Sequence, residues 1–198
     1  MKHTELTQNP QTKRFIVQGN FLDIGTPNQD GLAFSRESME WLVNDERFQD
    51  CLARRVFPAY IEHPAENIVG FKGTEAGILV KAEIRGDEFF GAIELLDTDE
   101  GNFIRDLYQH DVKIGVSIRA DGYTDTGSVP GTTKGPIQFY GFDFVAEPAF
   151  KYAIPTKLAA SRKYFTQSKL RLSDGAEYLA QKRQRALGEL FYNLLNSK

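Results

Sequence analysis

Cysteine, histidine and long apolar runs are scarce in this 198-residue chain, which has one Cys and three His. The lone Cys51 cannot form an internal disulfide, and the paired cysteines of a zinc site are absent, so we expect no metal or other cofactor. No stretch approaches the roughly 20 apolar residues that a membrane span requires, and the first residues lack the apolar segment of a secretion signal. We expect a soluble protein of a reducing cytoplasm.

A strong excess of charge is also missing, because 24 Lys and Arg face 27 Asp and Glu for a net charge of −3. Such a chain has no general attraction for nucleic acid or for an anionic membrane surface. What the chain does contain is 41% hydrophobic residues, among them 15 Phe. This composition and length predict one globular domain with a Phe-rich core and a single functional site.

Apolar spacing and turn residues predict the elements of the first half of the chain. Residues 13–24 are rich in β-branched and aromatic types, which is typical of a strand. Ser35 is suited to cap a helix that ends near Phe48, and the apolar run at 56–61 predicts a short strand. That run leads directly into His63, which precedes a proline and therefore lies at a strand end.

A hairpin and a helix are predicted next. Residues 77–85 and 88–96 form the clearest hairpin in the sequence, since Gly86 between them supplies the backbone freedom of a tight turn. Residues 98–110 carry apolar side chains at helical spacing, with Thr98 as the N-cap.

The strand predicted at 113–120 alternates cleanly, and one of its faces carries Gly115, Ser117 and Arg119. A Gly/Thr/Ser-rich stretch at 121–135 is expected to be an exposed loop, followed by a strand at 136–145. We place the domain at residues 1–155. Residues 156–198 are predicted to be a polar linker followed by a C-terminal helix at 176–195.

Few residues can serve as a general base, because acyl transfer without a metal usually uses a histidine. His3 lies near a terminus that is expected to fray, and His110 ends a helix, where the dipole favours a cation. His63 remains the candidate base. A lone cysteine such as Cys51 can be a nucleophile, but a small buried apolar role is the commoner one.

Ser117 and Asp143 are the further candidates, although each also has a structural interpretation. A serine in mid-strand is usually a packing or edge residue. Asp143 lies between two Phe residues in a strand, where a carboxylate is costly to bury unless a donor such as an imidazole is hydrogen-bonded to it. Asp143 could equally cap a backbone group or lie on a wet face.

Three stretches together resemble the prohead proteases of tailed bacteriophages, which share the fold of the herpesvirus assemblins. They are Tyr60-Ile61-Glu62-His63-Pro64, Gly115-Val116-Ser117-Ile118-Arg119 and Gly141-Phe142-Asp143-Phe144-Val145-Ala146-Glu147-Pro148-Ala149-Phe150. Their order and separation agree with that family over residues 13–155. The resemblance implies an α+β fold, a compact and mostly antiparallel β-barrel ringed by helices, with His63 and Ser117 on adjacent strands.

The resemblance also implies residue roles. Ser117 is the nucleophile, His63 its general base and Asp143 the orienting acid. Other relatives carry a Glu where this chain has Gly141, so Glu66 and a Ser-His dyad remain alternatives for the third role. For the oxyanion, the family pattern implies help from a basic residue, either Lys151 or Arg119.

The biological role follows from the same resemblance. It implies a serine endopeptidase that cleaves scaffold or core proteins, the major capsid protein and the portal inside the assembling prohead, in the host cytoplasm. Nucleic acid and membranes are not expected partners, and a homo-oligomer is compatible with this role. Members of that family are often self-processed and often cut after an acidic residue in motifs such as Leu-x-Glu, and this chain contains Leu187-Gly188-Glu189. The alternative is a non-enzymatic scaffold or core protein of the prohead.

Overall fold

Antiparallel strand pairs account for most of the computed structural model, which describes residues 14–64, 70–155 and 157–161. All of these residues belong to one unit, Thr12–Arg162. In chain order, the elements of the described residues are β1 (Arg14–Asp23), β2 (Leu32–Ala33), α1 (Arg36–Asn44), α2 (Glu46–Ala53), β3 (Pro58–Ala59), β4 (Gly77–Arg85), β5 (Glu88–Leu95), α3 (Asp99–Gln109), β6 (Gly115–Thr124), β7 (Gly131–Val145) and β8 (Lys157–Ser161).

The strands form a five-stranded sheet in the order β3-β4-β5-β1-β8 and a three-stranded sheet in the order β2-β7-β6. The chain just after β3 connects them. Phe144 N–H donates to the Tyr60 carbonyl, and Glu62 N–H donates to the Phe144 carbonyl, both at 2.8 Å. Because β3 pairs with β4 while the next residues pair with β7, the sheets continue into one curled half-barrel.

Phenylalanine side chains fill the space inside this curled sheet, as the composition predicts. The Phe142 ring from β7 lies 4.9 Å from Phe21 of β1 and 5.6 Å from Phe89 of β5, measured between centroids. Phe139 packs on the same ring at 5.4 Å. Aromatic pairs at these separations add stabilisation beyond the area that they bury, so this cluster joins the two sheets.

Several local predictions are confirmed. The hairpin is formed by β4 and β5, with Gly86 at φ 58° in its turn. Ser35 caps α1 by accepting a hydrogen bond from Ser38 N–H, and Thr98 caps α3 by accepting one from Gly101 N–H. The fold class that the resemblance implied is likewise observed, with helices packed on a mostly antiparallel sheet.

Other predictions were wrong, and each failure has a physical cause. The helix expected to run to Phe48 is divided at Asp45, whose carboxylate caps a second helix, α2, by accepting from Phe48 N–H. The expected loop at 121–135 is mostly strand, because β6 and β7 continue their pairing to Thr124 and Thr133. Here the cross-strand ladder outweighs a sequence rich in turn residues.

Beyond residue 155, where the sequence predicted irregular chain, β8 pairs antiparallel with β1 from Arg14↔Ser161 to Gln18↔Lys157. The division of the chain after residue 155 stays a prediction, and the helix predicted at 176–195 lies outside the described residues. Over the described ranges, no helix combines the length and apolar character needed to cross a membrane. In that same part of the chain, no cluster of three His, Cys, Asp or Glu side chains is arranged to hold a metal ion.

Candidate active site

Ser117 on β6 and Asp143 on β7 lie directly opposite each other in the antiparallel ladder. Opposed residues of such a pair project from the same face of the sheet, with Cβ atoms about 5 Å apart. The next pair along that face is Arg119 and Gly141. The alternation predicted for residues 113–120 therefore holds, and it places a serine, a carboxylate and a guanidinium on one surface.

Asp143 is completely buried, and donors surround its carboxylate. Oδ2 accepts from Arg119 Nε at 2.8 Å and lies 2.8 Å from His63 Nδ1. Oδ1 accepts from Tyr60 N–H at 3.1 Å and from Arg119 Nη2 at 3.3 Å. These contacts satisfy both oxygens, which is the condition under which a carboxylate can be buried between two Phe residues. Both kinds of partner that the sequence left open are present, the imidazole of His63 and a backbone N–H, that of Tyr60, and Arg119 is an additional partner.

The two flanking Phe residues explain why Asp143 can occupy this place. Successive side chains of a strand point to opposite faces, and Phe142 and Phe144 both enter the core. Asp143 therefore points away from the core, towards the face that carries Ser117. The strand pattern thus supplies a carboxylate backed by packed aromatic rings, which limits its movement.

His63 reaches the same carboxylate from the other side of β7. Residues 60–62 run beside β7 in a parallel bridge at Ile61 and Phe144, whereas Ser117 lies on β6. The resemblance implied adjacent strands for His63 and Ser117, and the pairing instead places β7 between them. Asp143 of β7 links the two, since its carboxylate bonds His63 and its ladder position is opposite Ser117.

The imidazole is oriented by its bond to Asp143. When Nδ1–H donates to Oδ2, Nε2 keeps its lone pair and can accept a proton from a hydroxyl. The His63 side chain is 45% exposed, whereas Ser117 is only 5% exposed. A substrate would therefore approach from the exposed side of the imidazole.

Behind the carboxylate lies a second layer of buried polar groups. The Arg119 guanidinium stands 5.3 Å from the centre of the Tyr60 ring. The Tyr60 hydroxyl lies 2.8 Å from the Gly70 carbonyl and 3.2 Å from Glu75 Oε1. Burial, together with the nearby Glu75 carboxylate, raises the pKa of Tyr60, so the phenol stays protonated and keeps donating. This layer holds Arg119 in place.

Gly141 is the position at which the sequence departs from the prohead-protease pattern. A Cβ atom at Gly141 would lie 2.7 Å from the Pro58 carbonyl oxygen and 3.2 Å from Arg119 Nη2. A contact below 3.0 Å with backbone requires the chain to move. The arginine thus occupies the space into which a longer side chain at this position would extend.

The remaining predicted residues lie elsewhere. Glu66 falls outside the described residues. The ammonium of Lys151 lies 5.9 Å from the Tyr152 ring, and the Arg119 guanidinium is engaged with Asp143. His110 forms the C-cap of α3, as its position predicted, and Cys51 is half-buried in α2. The roles of Tyr60 and Glu75 were not predicted, because neither has a signature in the sequence.

Among solved structures, this chain is similar to the bacteriophage T4 capsid assembly protease gp21. The two chains are 18% identical, with 66% of this chain and 80% of that chain covered and a TM-score of 0.55. This chain shares the fold of the T4 protease. KSHV protease in complex with a hexapeptide phosphonate inhibitor also matches, at 12% identity, coverage of 87% of this chain and 77% of that chain, and a TM-score of 0.40. No protein-family model and no curated protein sequence matches the chain.

Proposed function

We propose that this protein is a serine endopeptidase in which Ser117 is the nucleophile, His63 the general base and Asp143 the orienting acid. One observation carries the proposal. The buried carboxylate of Asp143 is hydrogen-bonded to His63 Nδ1 at 2.8 Å and stands opposite Ser117 in the β6–β7 ladder. This placement supports the assignment, because a triad needs an orienting acid bonded to the base and close to the nucleophile.

The proposed reaction begins with the attack of Ser117 Oγ on the scissile carbonyl carbon. His63 Nε2 takes the hydroxyl proton as the bond forms, and later gives it to the leaving amine. A water molecule, activated by the same imidazole, then hydrolyses the acyl-enzyme. Throughout both steps Asp143 keeps the imidazole in one tautomer and stabilises the imidazolium.

Arg119 has a supporting part in this mechanism. Its guanidinium bonds both oxygens of Asp143, so the carboxylate plane cannot rotate away from His63. For the oxyanion, we propose backbone N–H groups, with Lys151 as the candidate basic residue that assists through water. Glu66 and a Ser-His dyad remain the alternatives if Asp143 proves dispensable.

The proposed biological role is maturation of a phage prohead. The T4 neighbour is a capsid assembly protease, and the three short stretches of this chain resemble prohead proteases. We propose that the substrates are scaffold or core proteins, the major capsid protein and the portal, and that cleavage occurs inside the assembling prohead in the host cytoplasm.

A fluorophosphonate probe tests the proposed nucleophile directly, because it labels only an activated serine. Wild type should be labelled, and Ser117→Ala and His63→Ala should not. With capsid protein as substrate, each variant should lose most processing, and the double variant should be little worse than either, since the groups act as one unit. No labelling of wild type, together with no cleavage of capsid protein, would favour the non-enzymatic scaffold or core protein, and equal labelling of wild type and Ser117→Ala would reject Ser117 as the nucleophile.

Self-processing is the second part of the proposal. Cleavage after Glu189, in Leu187-Gly188-Glu189, would release residues 190–198. The intact mass of wild type should show the shortened chain, and that of Ser117→Ala should not. If both keep the full mass while capsid protein is cut, self-cleavage at this place is rejected.

A further inference from the structure

Glu62, the residue before His63, has a left-handed backbone with φ 59°. Residues other than glycine seldom adopt such angles, and backbone strain of this kind concentrates at functional sites. Glu62 has no role in the proposed catalytic mechanism. Its side chain is exposed, so core packing does not explain why the chain turns here.

The direction of the neighbouring side chains shows what this turn accomplishes. Tyr60 stands on the Asp143 side, since its ring lies against Arg119, which bonds Asp143. Ile61 packs on the opposite side, against the core. If the chain stayed extended, alternation would place Glu62 on the Asp143 side and direct His63 towards the core side. The left-handed residue breaks the alternation, and the imidazole reaches Asp143.

Hydrogen bonds at the end of β7 hold Glu62 in this conformation. Its own N–H donates to the Phe144 carbonyl at 2.8 Å, and its Oε1 accepts from Ala146 N–H at 3.1 Å. Phe144 follows Asp143 in β7, and Ala146 is the first residue after the strand. Pro64 restricts His63 to an extended backbone from the other side. The position of the imidazole is thereby tied to the strand that carries its carboxylate partner.

We propose that Glu62 is a positioning residue for the catalytic histidine. Its left-handed backbone turns His63 onto the face of Asp143 and Ser117, and its carboxylate clamps that turn to Ala146 N–H. The inference rests on the proposed function for its consequence in catalysis, whereas the placement of the imidazole can be measured without any hydrolysis.

Substitutions of Glu62 distinguish the contribution of its left-handed backbone from that of its hydrogen bond with Ala146 N–H. Glu62→Gln keeps an oxygen acceptor for Ala146, so kcat should stay within about threefold of wild type. Glu62→Gly keeps the left-handed angles and loses the clamp, so kcat should fall roughly tenfold. Glu62→Val opposes the angles through its β-branched side chain, and kcat should fall about a hundredfold with KM changed less than about twofold.

A nuclear magnetic resonance readout reports the imidazole directly. The His63 Nδ1–H proton that is bonded to Asp143 should give a resonance in wild type and Glu62→Gln that is weakened in Glu62→Gly and absent in Glu62→Val. Assignment uses His63→Gln, which should remove the resonance. If the resonance follows this order while no Ser117-dependent cleavage of capsid protein is found, the proposed function fails and the positioning role stands.

Asp111 provides the matched control, because it too has a left-handed backbone, with φ 58°, and it lies just after α3. Asp111→Gly and Asp111→Val should change unfolding temperature as the Glu62 variants do, and leave kcat and the His63 resonance as in wild type. The proposal is overturned if Glu62→Val and Glu62→Gly both keep the wild-type resonance and kcat, or if Asp111→Val reproduces their loss. If Glu62→Val fails to fold, the comparison of Glu62→Gly with Glu62→Gln decides: equal kcat and equal His63 resonances in these two variants overturn the proposal.

Discussion

The side chains of His63 and Arg119 meet at one atom, Oδ2 of Asp143, each with a nitrogen 2.8 Å away. A carboxylate that is shared between a fixed cation and an imidazole has no freedom to turn towards solvent. The position of the imidazole therefore depends on a buried ion pair, so that changes to this pair should affect the stability of the domain as well as the site.

Asp143→Asn should lower kcat by roughly 10⁴, by analogy with the chymotrypsin triad, because an amide of the same shape can favour the wrong imidazole tautomer. Cleavage of capsid protein by the purified variant measures the loss. Asp121→Asn is the matched control, since Asp121 lies on β6 and its carboxylate accepts from the Tyr140 hydroxyl. A loss below about tenfold moves the orienting role to Glu66 or leaves a dyad.

Removing Arg119 should cost stability as well as activity. Arg119→Met leaves the Asp143 charge buried without its guanidinium, and breaking a buried pair in this way typically costs about 3–5 kcal/mol. Urea unfolding followed by fluorescence measures the change.

Two further variants sharpen that experiment. Arg119→Met combined with Asp143→Leu should recover most of the lost stability, since apolar replacement of both partners removes the unpaired charge. Arg36→Met breaks the exposed ion pair with Asp87 and should leave the unfolding curve unchanged. If Arg119→Met unfolds at the wild-type urea concentration, the ion pair does not stabilise the site.

Gly141→Glu should not restore a triad in the absence of Asp143. The new side chain would meet the Pro58 carbonyl and Arg119 Nη2 at its first atom. We expect Gly141→Glu to unfold at a lower temperature than wild type, and Gly141→Glu with Asp143→Asn to be no more active than Asp143→Asn alone. Recovery of cleavage by the double variant would show that the acid role can pass to this position.

Truncation tests the role of β8. The sequence predicted a polar linker beyond residue 155, but β8 pairs with the edge of β1. A chain that ends at Arg162 should keep the unfolding temperature of the full chain. One that ends at Thr156 should unfold at least about 5 °C lower, because the backbone groups of β1 lose their partners. Equal unfolding temperatures for the two truncated chains would contradict a stabilising role for β8.

Local chemistry made part of this protein predictable from its sequence. Strand alternation placed Ser117 and Arg119 on one face, and Ser35 and Thr98 begin helices because each satisfies a backbone N–H within its own turn. The scarcity of histidine reduced the candidate bases to His63. The alternation and the helix caps depend on residues within a few positions of one another, and the count of histidines depends on composition alone, so all three can be read from the sequence.

Only the tertiary structure decided how the candidate site is assembled, because its contacts join residues that are distant in the chain. Arg119 pairs with Asp143 across 24 residues, and Tyr60 N–H reaches the same carboxylate across 83. Glu62 finds its hydrogen-bond partners at Phe144 in β7 and at Ala146 just after that strand. Such contacts follow from the curling of the sheet, which brings residues 60–62 against β7. The sequence by itself determined which residues could carry the chemistry, and the packed fold determined how they are held.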